Sequence, residues 1–240
     1  MNDKRFRIAA GIGIAVLVVI LFLVSPFFSI EETVIVGYNR VDRAEILAQL
    51  NIGSTTNLLF FNTNAARRRV MENLYVGDVI FERELPRRLY VTIHERRLTA
   101  YVEHMPGSFL FLDDQGRVLA VSTHKTESFP VLEGLDFTRF RLGQILEVSD
   151  NVSFASVVHY AQLLNLHDLI HRVSHMNVSD PENIRIMIGY KEFNVGDIAG
   201  ADEKVRTIVQ ILEELPNAEL MRGFATIRHN QSEHFFEILQ

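Results

Sequence analysis

Between Ile8 and Phe28 lie 21 residues without a charge, interrupted only by Ser25 and Pro26. Wound as a helix at about 1.5 Å per residue, the run reaches roughly 30 Å, the thickness of a bilayer's hydrocarbon core. Arg5 and Arg7 stand before it, and Glu31 and Glu32 after it. Positive charge is retained on the cytoplasmic side, so the expected orientation is N-terminus in, C-terminus out. A cleaved leader has a shorter apolar stretch of about 7–15 residues and a small-x-small cleavage site. Here Val24-Ser25-Pro26-Phe27-Phe28 is a poor context for such a cut, because Pro26 and two Phe crowd it. The expectation is an uncleaved anchor over 8–28, a cytoplasmic tail over 1–7, and everything else outside.

Charge divides unevenly about that run. Residues 1–28 carry Lys4, Arg5 and Arg7 against Asp3, a net of +2, while the whole chain is −6, which leaves −8 for residues 29–240. An acidic exterior part repels nucleic acid and offers no basic stripe for phosphates. There is no cysteine, so disulfides, thiolate metal sites and cysteine nucleophiles are excluded together. The exterior fold must be held by its own apolar core.

The segment after the anchor reads as strand, helix, helix, strand, strand. Thr33 to Val36 has strand composition and Gly37-Tyr38-Asn39 is a turn. Asp42 precedes Arg43, Ala44 and Glu45 as an N-cap with an acid three residues on. Ile46, Leu47 and Leu50 give that helix its apolar face, with Gly53 beyond its end. A second helix, capped by Asn62 or Thr63, runs to about Asn73 through Ala66, Val70 and Met71. Val76 to Leu85 alternates with Val79 and Phe81 on one face, Pro86 turns the chain, and Leu89, Val91 and Ile93 alternate against Tyr90, Thr92 and His94.

The stretch from Val34-Ile35-Val36-Gly37 through Phe81-Glu82-Arg83-Glu84-Leu85-Pro86 to Val91-Thr92-Ile93-His94-Glu95-Arg96-Arg97 resembles a POTRA domain. More narrowly, it is similar to the POTRA domain of the FtsQ/DivIB bacterial cell-division proteins, which follows a single transmembrane helix. Its most specific piece is an Arg-x-Leu-Pro turn leading into a strand that ends Glu-Arg-Arg. The sequence departs from the family's pattern at Leu98, where a proline is usual, and at Gly37-Tyr38-Asn39, where Gly-Asn is usual.

Downstream, Phe109 to Leu112 and Val118 to Val121 flank Asp113-Asp114-Gln115-Gly116 as a hairpin. Phe129-Pro130-Val131-Leu132-Glu133-Gly134 is similar to the family's Leu-Pro-x-Leu-x-Gly segment. A helix is expected over about Val152–Leu164 with Ala155, Val158 and Ala161 on one side. Strands follow at Met176–Val178, Ile184–Ile188 and Phe193–Val195, then a helix over Asp202–Leu215 opening with Lys204. Strands near Phe224–Arg228 and Phe235–Leu239 end the chain. The expected fold class is α+β: one transmembrane helix, a β-α-α-β-β POTRA domain over 29–98, and a second mixed α+β domain over 99–240 with a mainly antiparallel sheet.

Side chains able to do chemistry are scattered. His167, His171 and His175 are spaced by four and on one helix would line a zinc-binding face. Val173 to Val178 reads better as a turn entering a strand, which separates His175 from the other two. Asp113-Asp114 lacks the further acids of a calcium loop and reads as a turn. No Gly-x-Ser-x-Gly, convincing Ser-x-x-Lys or Gly-rich phosphate loop is present. Arg67-Arg68-Arg69 spreads over one helical turn as a solvated face, short of a lipid-binding cluster. The expectation is no catalytic, cofactor or metal residue and no small-molecule substrate.

What remains is the C-terminus. A last strand around Phe235 to Leu239 presents an edge to which a partner's extended segment can add. The resemblance implies that division partners dock in this region by strand addition, here Arg228, Phe235, Phe236, Glu237 and Ile238. It implies FtsB/DivIC-like and FtsL-like bitopic partners, a place at the division septum, and a scaffold that helps regulate septal peptidoglycan synthesis. The competing expectation is a membrane-anchored extracytoplasmic enzyme of the cell wall.

Overall fold

Pro26 decides where the first helix stops. A proline forces the residue before it out of helical geometry and lacks the N–H that would continue the ladder. Ser25 accordingly sits at φ −62°, ψ 157°, helix α1 covers Asn2–Val24, and Pro26–Phe28 close into a 3₁₀ turn. The computed structural model describes residues 2–214, 223–227 and 236–239; for residues 2–7, 9, 223–224 and 236–239 it describes the backbone alone. Large apolar side chains of α1 from Ile12 to Phe22 are each more than half exposed. The run expected to span a membrane over 8–28 therefore divides: its last residues leave the helix, and Phe28 at its end is buried. Among the described residues, which include the side chains of only residues 8 and 10–24 of α1, no helix is long and apolar enough to cross a membrane.

The chain divides into two compact units, Met1–Arg96 and Arg97–Gln240. In the first, strand β1 (Glu32–Val36) is followed by α2 (Arg43–Leu50), α3 (Thr63–Val70), β2 (Val76–Glu84) and β3 (Arg88–Glu95). β3 lies in the middle of the sheet, parallel to β1 and antiparallel to β2, in the order β1-β3-β2. Its alternation matches expectation: Leu89, Val91 and Ile93 are buried among Ile35, Ile46, Leu50, Ala66, Val70 and Val79. Asp42 caps α2 by accepting from the N–H of Ala44. The helix ends earlier than Gly53 suggested, at Asn51, which takes the left-handed conformation at φ 52°. Asparagine tolerates that region because its short polar side chain bonds locally.

In the second unit, β4 (Leu98–Met105), β5 (Ser108–Asp113) and β6 (Val118–Ser122) form an antiparallel meander. Strand β7 (Val131–Glu133) leads to α4 (Asn151–Leu166), then β8 (Val173–Asn177), β9 (Ile184–Ile188) and β10 (Lys191–Gly196). Helix α5 (Ala201–Glu214) crosses to β11 (Gly223–Ile227), and β12 (Phe236–Leu239) completes a nine-stranded sheet ordered β12-β11-β10-β9-β8-β7-β4-β5-β6. Five of its neighbouring pairs are antiparallel; β10 with β11, β8 with β7 and β7 with β4 are parallel. The architecture is the mixed α+β, antiparallel-rich one expected.

Three details differ from the sequence reading. β4 was not expected, because its first five residues are all buried and show no alternation. β8 begins at Val173, not Met176. Helix α4 buries Phe154, Val157, Tyr160, Ala161 and Leu164, whereas Ala155, expected on one side with Val158 and Ala161, is exposed. The stripe that won carries the larger side chains, whose burial stabilises more.

Two glycines are fixed by close approach. At Gly116 (φ 77°) a Cβ would overlap the Phe154 ring, and at Gly134 (φ 83°) it would overlap the backbone of Ser179. The glycines ending the Asp-Asp-Gln-Gly turn and the Phe-Pro-Val-Leu-Glu-Gly segment are thus required by packing and by backbone geometry.

Candidate functional site

The last strand stands at one edge of the large sheet. Its partner β11 is held in place from beneath by α5, whose Val205, Ile208 and Leu212 are buried against the core that includes Phe193, Val195, Ala225 and Ile227. β10 and β11 run parallel with Phe193 opposite Ala225, as a strand–helix–strand crossover requires. β12 then turns back antiparallel, with Phe224 opposite Leu239, Ala225 opposite Ile238, Thr226 opposite Glu237 and Ile227 opposite Phe236. Among the described residues no strand pairs with the other side of β12. Its outer N–H and C=O groups are a template for one more strand.

Of the five residues expected to meet a partner, Phe236, Glu237 and Ile238 lie on this edge strand. Arg228 and Phe235 lie outside the described residues.

The loop that enters α5 is fastened by a polar cluster the sequence did not advertise. Lys204, 4% exposed at its side chain, donates from Nζ to the carbonyl of Asp197 at 2.9 Å and to its Oδ1 at 3.0 Å. Tyr160 of α4 donates its hydroxyl to the same carbonyl at 2.7 Å. The Lys204 ammonium holds the Asp197 carboxyl below its ordinary value; burial, with the Asp197 charge nearby, pushes the Tyr160 phenol up. Beside the cluster a cleft of about 460 Å³ is lined by Glu182, Asn194, Asp197, Lys204, Thr226 and Ile227, next to the strand that carries β12. Only the Glu-Lys opening of the helix pointed here in the sequence. Tyr160 could not be found that way, being 37 residues from its acceptor.

The other candidates have structural work. His167 is the C-cap of α4, His171 sits in a 3₁₀ turn with Nδ1 3.1 Å from the Ser128 carbonyl, and His175 on β8 lies 2.8 Å from Glu133. They fall on three different elements. Asp113 Oδ1 accepts from the N–H groups of Gln115 and Arg117, forming the hairpin turn. The arginine run is not simply solvated. Arg67 pairs with Asp78 at 2.5 Å, and Arg69 donates to the Gln49 and Leu50 carbonyls at 2.7 and 2.9 Å, closing the end of α2.

Glu95, in the Glu-Arg-Arg ending of β3, gathers the β1–α2 loop. Its Oε1 accepts from the backbone N–H of Asn39, Arg40 and Val41 at 2.8, 2.9 and 2.9 Å. Burial alone would push its carboxyl up. The three backbone donors and the Arg40 charge outweigh that and hold it below its ordinary value.

A three-stranded sheet in the order β1-β3-β2 with α2 and α3 in its core defines a class, and residues 28–96 match the POTRA domain of FtsQ type. The chain is also similar, 23% identical over 210 residues, to the cell division protein DivIB of Clostridium tetani, covering 86% of this chain and 78% of that one. It is 21% identical over 248 residues to DivIB of Clostridium botulinum strain Hall, covering 98% and 94%. FtsQ of Corynebacterium glutamicum is 27% identical over 126 residues, covering 51% of this chain and 56% of that protein. Residues 28–96 thus carry an FtsQ-type POTRA domain, and along most of its length the chain is similar to cell division proteins named DivIB and FtsQ.

Proposed function

We propose that the chain works in cell division as a non-catalytic, bitopic scaffold that receives partners on the β12 edge. What carries the reading is the place of β12: the last strand of a nine-stranded sheet, paired to β11 alone among the described residues. An added strand gains main-chain hydrogen bonds along the edge, and alternate side chains supply specificity. The relatives' names support a division role. In this reading the partners are FtsB/DivIC-like and FtsL-like bitopic proteins, and the assembly helps regulate septal peptidoglycan synthesis.

Helix α1 is the anchor. Twenty-three residues at about 1.5 Å each give roughly 34 Å, enough for a hydrocarbon core. Its exposed apolar sleeve from Ile12 to Phe22 supports burial in lipid, and the basic residues before it support an N-terminus in the cytoplasm. Confinement to the membrane raises the effective concentration of weak partners.

The test is imaging of dividing cells with the full chain fused to a fluorescent protein that folds outside the cytoplasm. The expected outcome is a midcell ring that disappears on deleting residues 235–240 at unchanged protein level. Uniform membrane signal while other division proteins still form rings overturns the scaffold reading and returns attention to a cell-wall enzyme.

A further inference from the structure

In the first unit, β1 leads away from α1. Parallel β3 and antiparallel β2 then place Glu84 to Arg88 at the same end as Glu32, where the helix arrives. The segment around Asn57 joins them there: Leu58 N–H donates to the Phe28 carbonyl at 2.7 Å, and Ile30 N–H to the Thr56 carbonyl at 2.9 Å.

The helix is fastened to this end. Asn57 Nδ2 donates to the Leu23 carbonyl at 2.8 Å, satisfying one of the acceptors a helix C-terminus leaves open. Phe22 packs its ring 5.6 Å from Phe27 and 5.4 Å from Phe28, and the Arg87 guanidinium donates to the Phe27 carbonyl at 3.0 Å while lying over the Phe27 ring.

Around this exit stand three exposed large apolar side chains: Phe27 at 47%, Phe60 at 64% and Leu85 at 59%. They continue, on the domain itself, the apolar surface that begins on α1. Charge here is matched: Arg87 pairs with Glu31, and Arg88 with Glu32 and Glu84. Tyr38 marks the opposite end. It adjoins the loop held by Glu95, which is seven residues along β3 from Arg88, or roughly 23 Å at about 3.3 Å per residue.

We propose that the helix-entry end of the POTRA domain rests in the lipid headgroup layer, with Phe27, Phe60 and Leu85 among the lipids. The inference rests on the reading of α1 as a membrane span. Aromatic and aliphatic side chains at that depth, about 5–10 Å into the interface, anchor a protein without crossing the membrane. Because Arg87 and Arg88 are paired with carboxylates and Arg83 is turned onto the Leu58 and Phe61 carbonyls, the contact is made on zwitterionic lipid and needs no anionic headgroup. The domain then leaves the membrane at a set tilt, with no free linker between span and sheet.

The chain contains no tryptophan, so a single introduced one reports its own surroundings. Full-length Phe60→Trp, Leu85→Trp, Tyr38→Trp and Leu17→Trp variants are reconstituted in phosphatidylcholine vesicles and quenched with headgroup-spin-labelled or acyl-brominated lipid. The expected result is acyl quenching of position 17, and headgroup quenching at positions 60 and 85 at least about twofold above position 38, as shallow insertion requires. Position 17 quenched, with 60 and 85 no stronger than 38, overturns the headgroup contact and leaves the span intact. Blue-shifted emission at 60 and 85 without lipid quenching assigns the patch to a protein contact and also overturns it. Position 17 unquenched removes the span and the inference with it.

Discussion

Replacing Glu95 should loosen the first unit out of proportion to its size. A hydrogen bond to a charged acceptor contributes about 1.5–3 kcal/mol, and three backbone donors converge on Oε1. The carboxylate is only partly buried, and water takes over some donors when it is gone. The net loss in Glu95→Ala is therefore nearer one such bond, about 2–3 kcal/mol. Glu95→Gln keeps an oxygen in place and loses only the charge, at about 1 kcal/mol.

The pH dependence separates these two terms. The folded carboxyl titrates below its ordinary 4.5, so its contribution is complete above that value and is lost as pH falls through the folded pKa. Glutamine does not titrate. The gap between the parent and Glu95→Gln should be widest near neutrality and narrow steadily below pH 4.5. Urea unfolding of the full chain followed by circular dichroism reads the gap. Hydrogen exchange of the Asn39, Arg40 and Val41 amides reads the loop itself. A parent and a glutamine variant with equal midpoints at pH 7, or a gap unchanged well below pH 4.5, would refute the reasoning.

Other substitutions test the remaining contacts. Gly134→Ala forces a side chain into φ 83° against the Ser179 backbone, and urea midpoints should show a loss of at least about 2 kcal/mol. Lys204→Met and Tyr160→Phe each remove a donor to the Asp197 carbonyl and should cost about 1–2 kcal/mol. Because the two share one acceptor, the double variant should be non-additive by at least about 0.5 kcal/mol; strict additivity would mean the cluster is not coupled. Arg69→Ala frees two carbonyls at the end of α2 and should cost about 1–2 kcal/mol, whereas Arg68→Ala, an exposed neighbour, should stay within about 0.5 kcal/mol. Equal effects at the two arginines would argue against the capping role.

The POTRA domain was legible because its strands are half-buried and keep period-two alternation, as Leu89, Val91 and Ile93 do on β3. β4 was not, since a strand buried on both faces has no alternation to read. Helix α4 is legible as a helix, but the spacing of Ala155, Val158 and Ala161 does not single out the stripe of Phe154, Val157, Tyr160 and Leu164: Ala161 is buried with that stripe, Val158 packs against the core and Ala155 is exposed. The apolar run up to Phe28 looks like one element until Pro26 is given its weight. The C-terminal edge was visible as composition, but its position outermost in the sheet depends on the order in which the nine described strands assemble. The partners of Glu95 and Tyr160 lie dozens of residues away and leave no local pattern.

Strand β7 has a mechanical consequence. It is three residues long, meets β4 through only two residue pairs and β8 through three, and among the described strands it is the one that joins the meander of β4, β5 and β6 to the rest of the sheet. Tension entering at Leu98 and leaving through β12 has to cross that seam, where few bonds share the load. Optical-trap pulling between those two points should show the sheet parting first at β7, before either half unravels; rupture beginning within β8–β11 would place the weak link elsewhere. Under the proposed docking on β12, a chain pulled between Leu98 and its last strand therefore carries a fuse at the middle of its largest sheet.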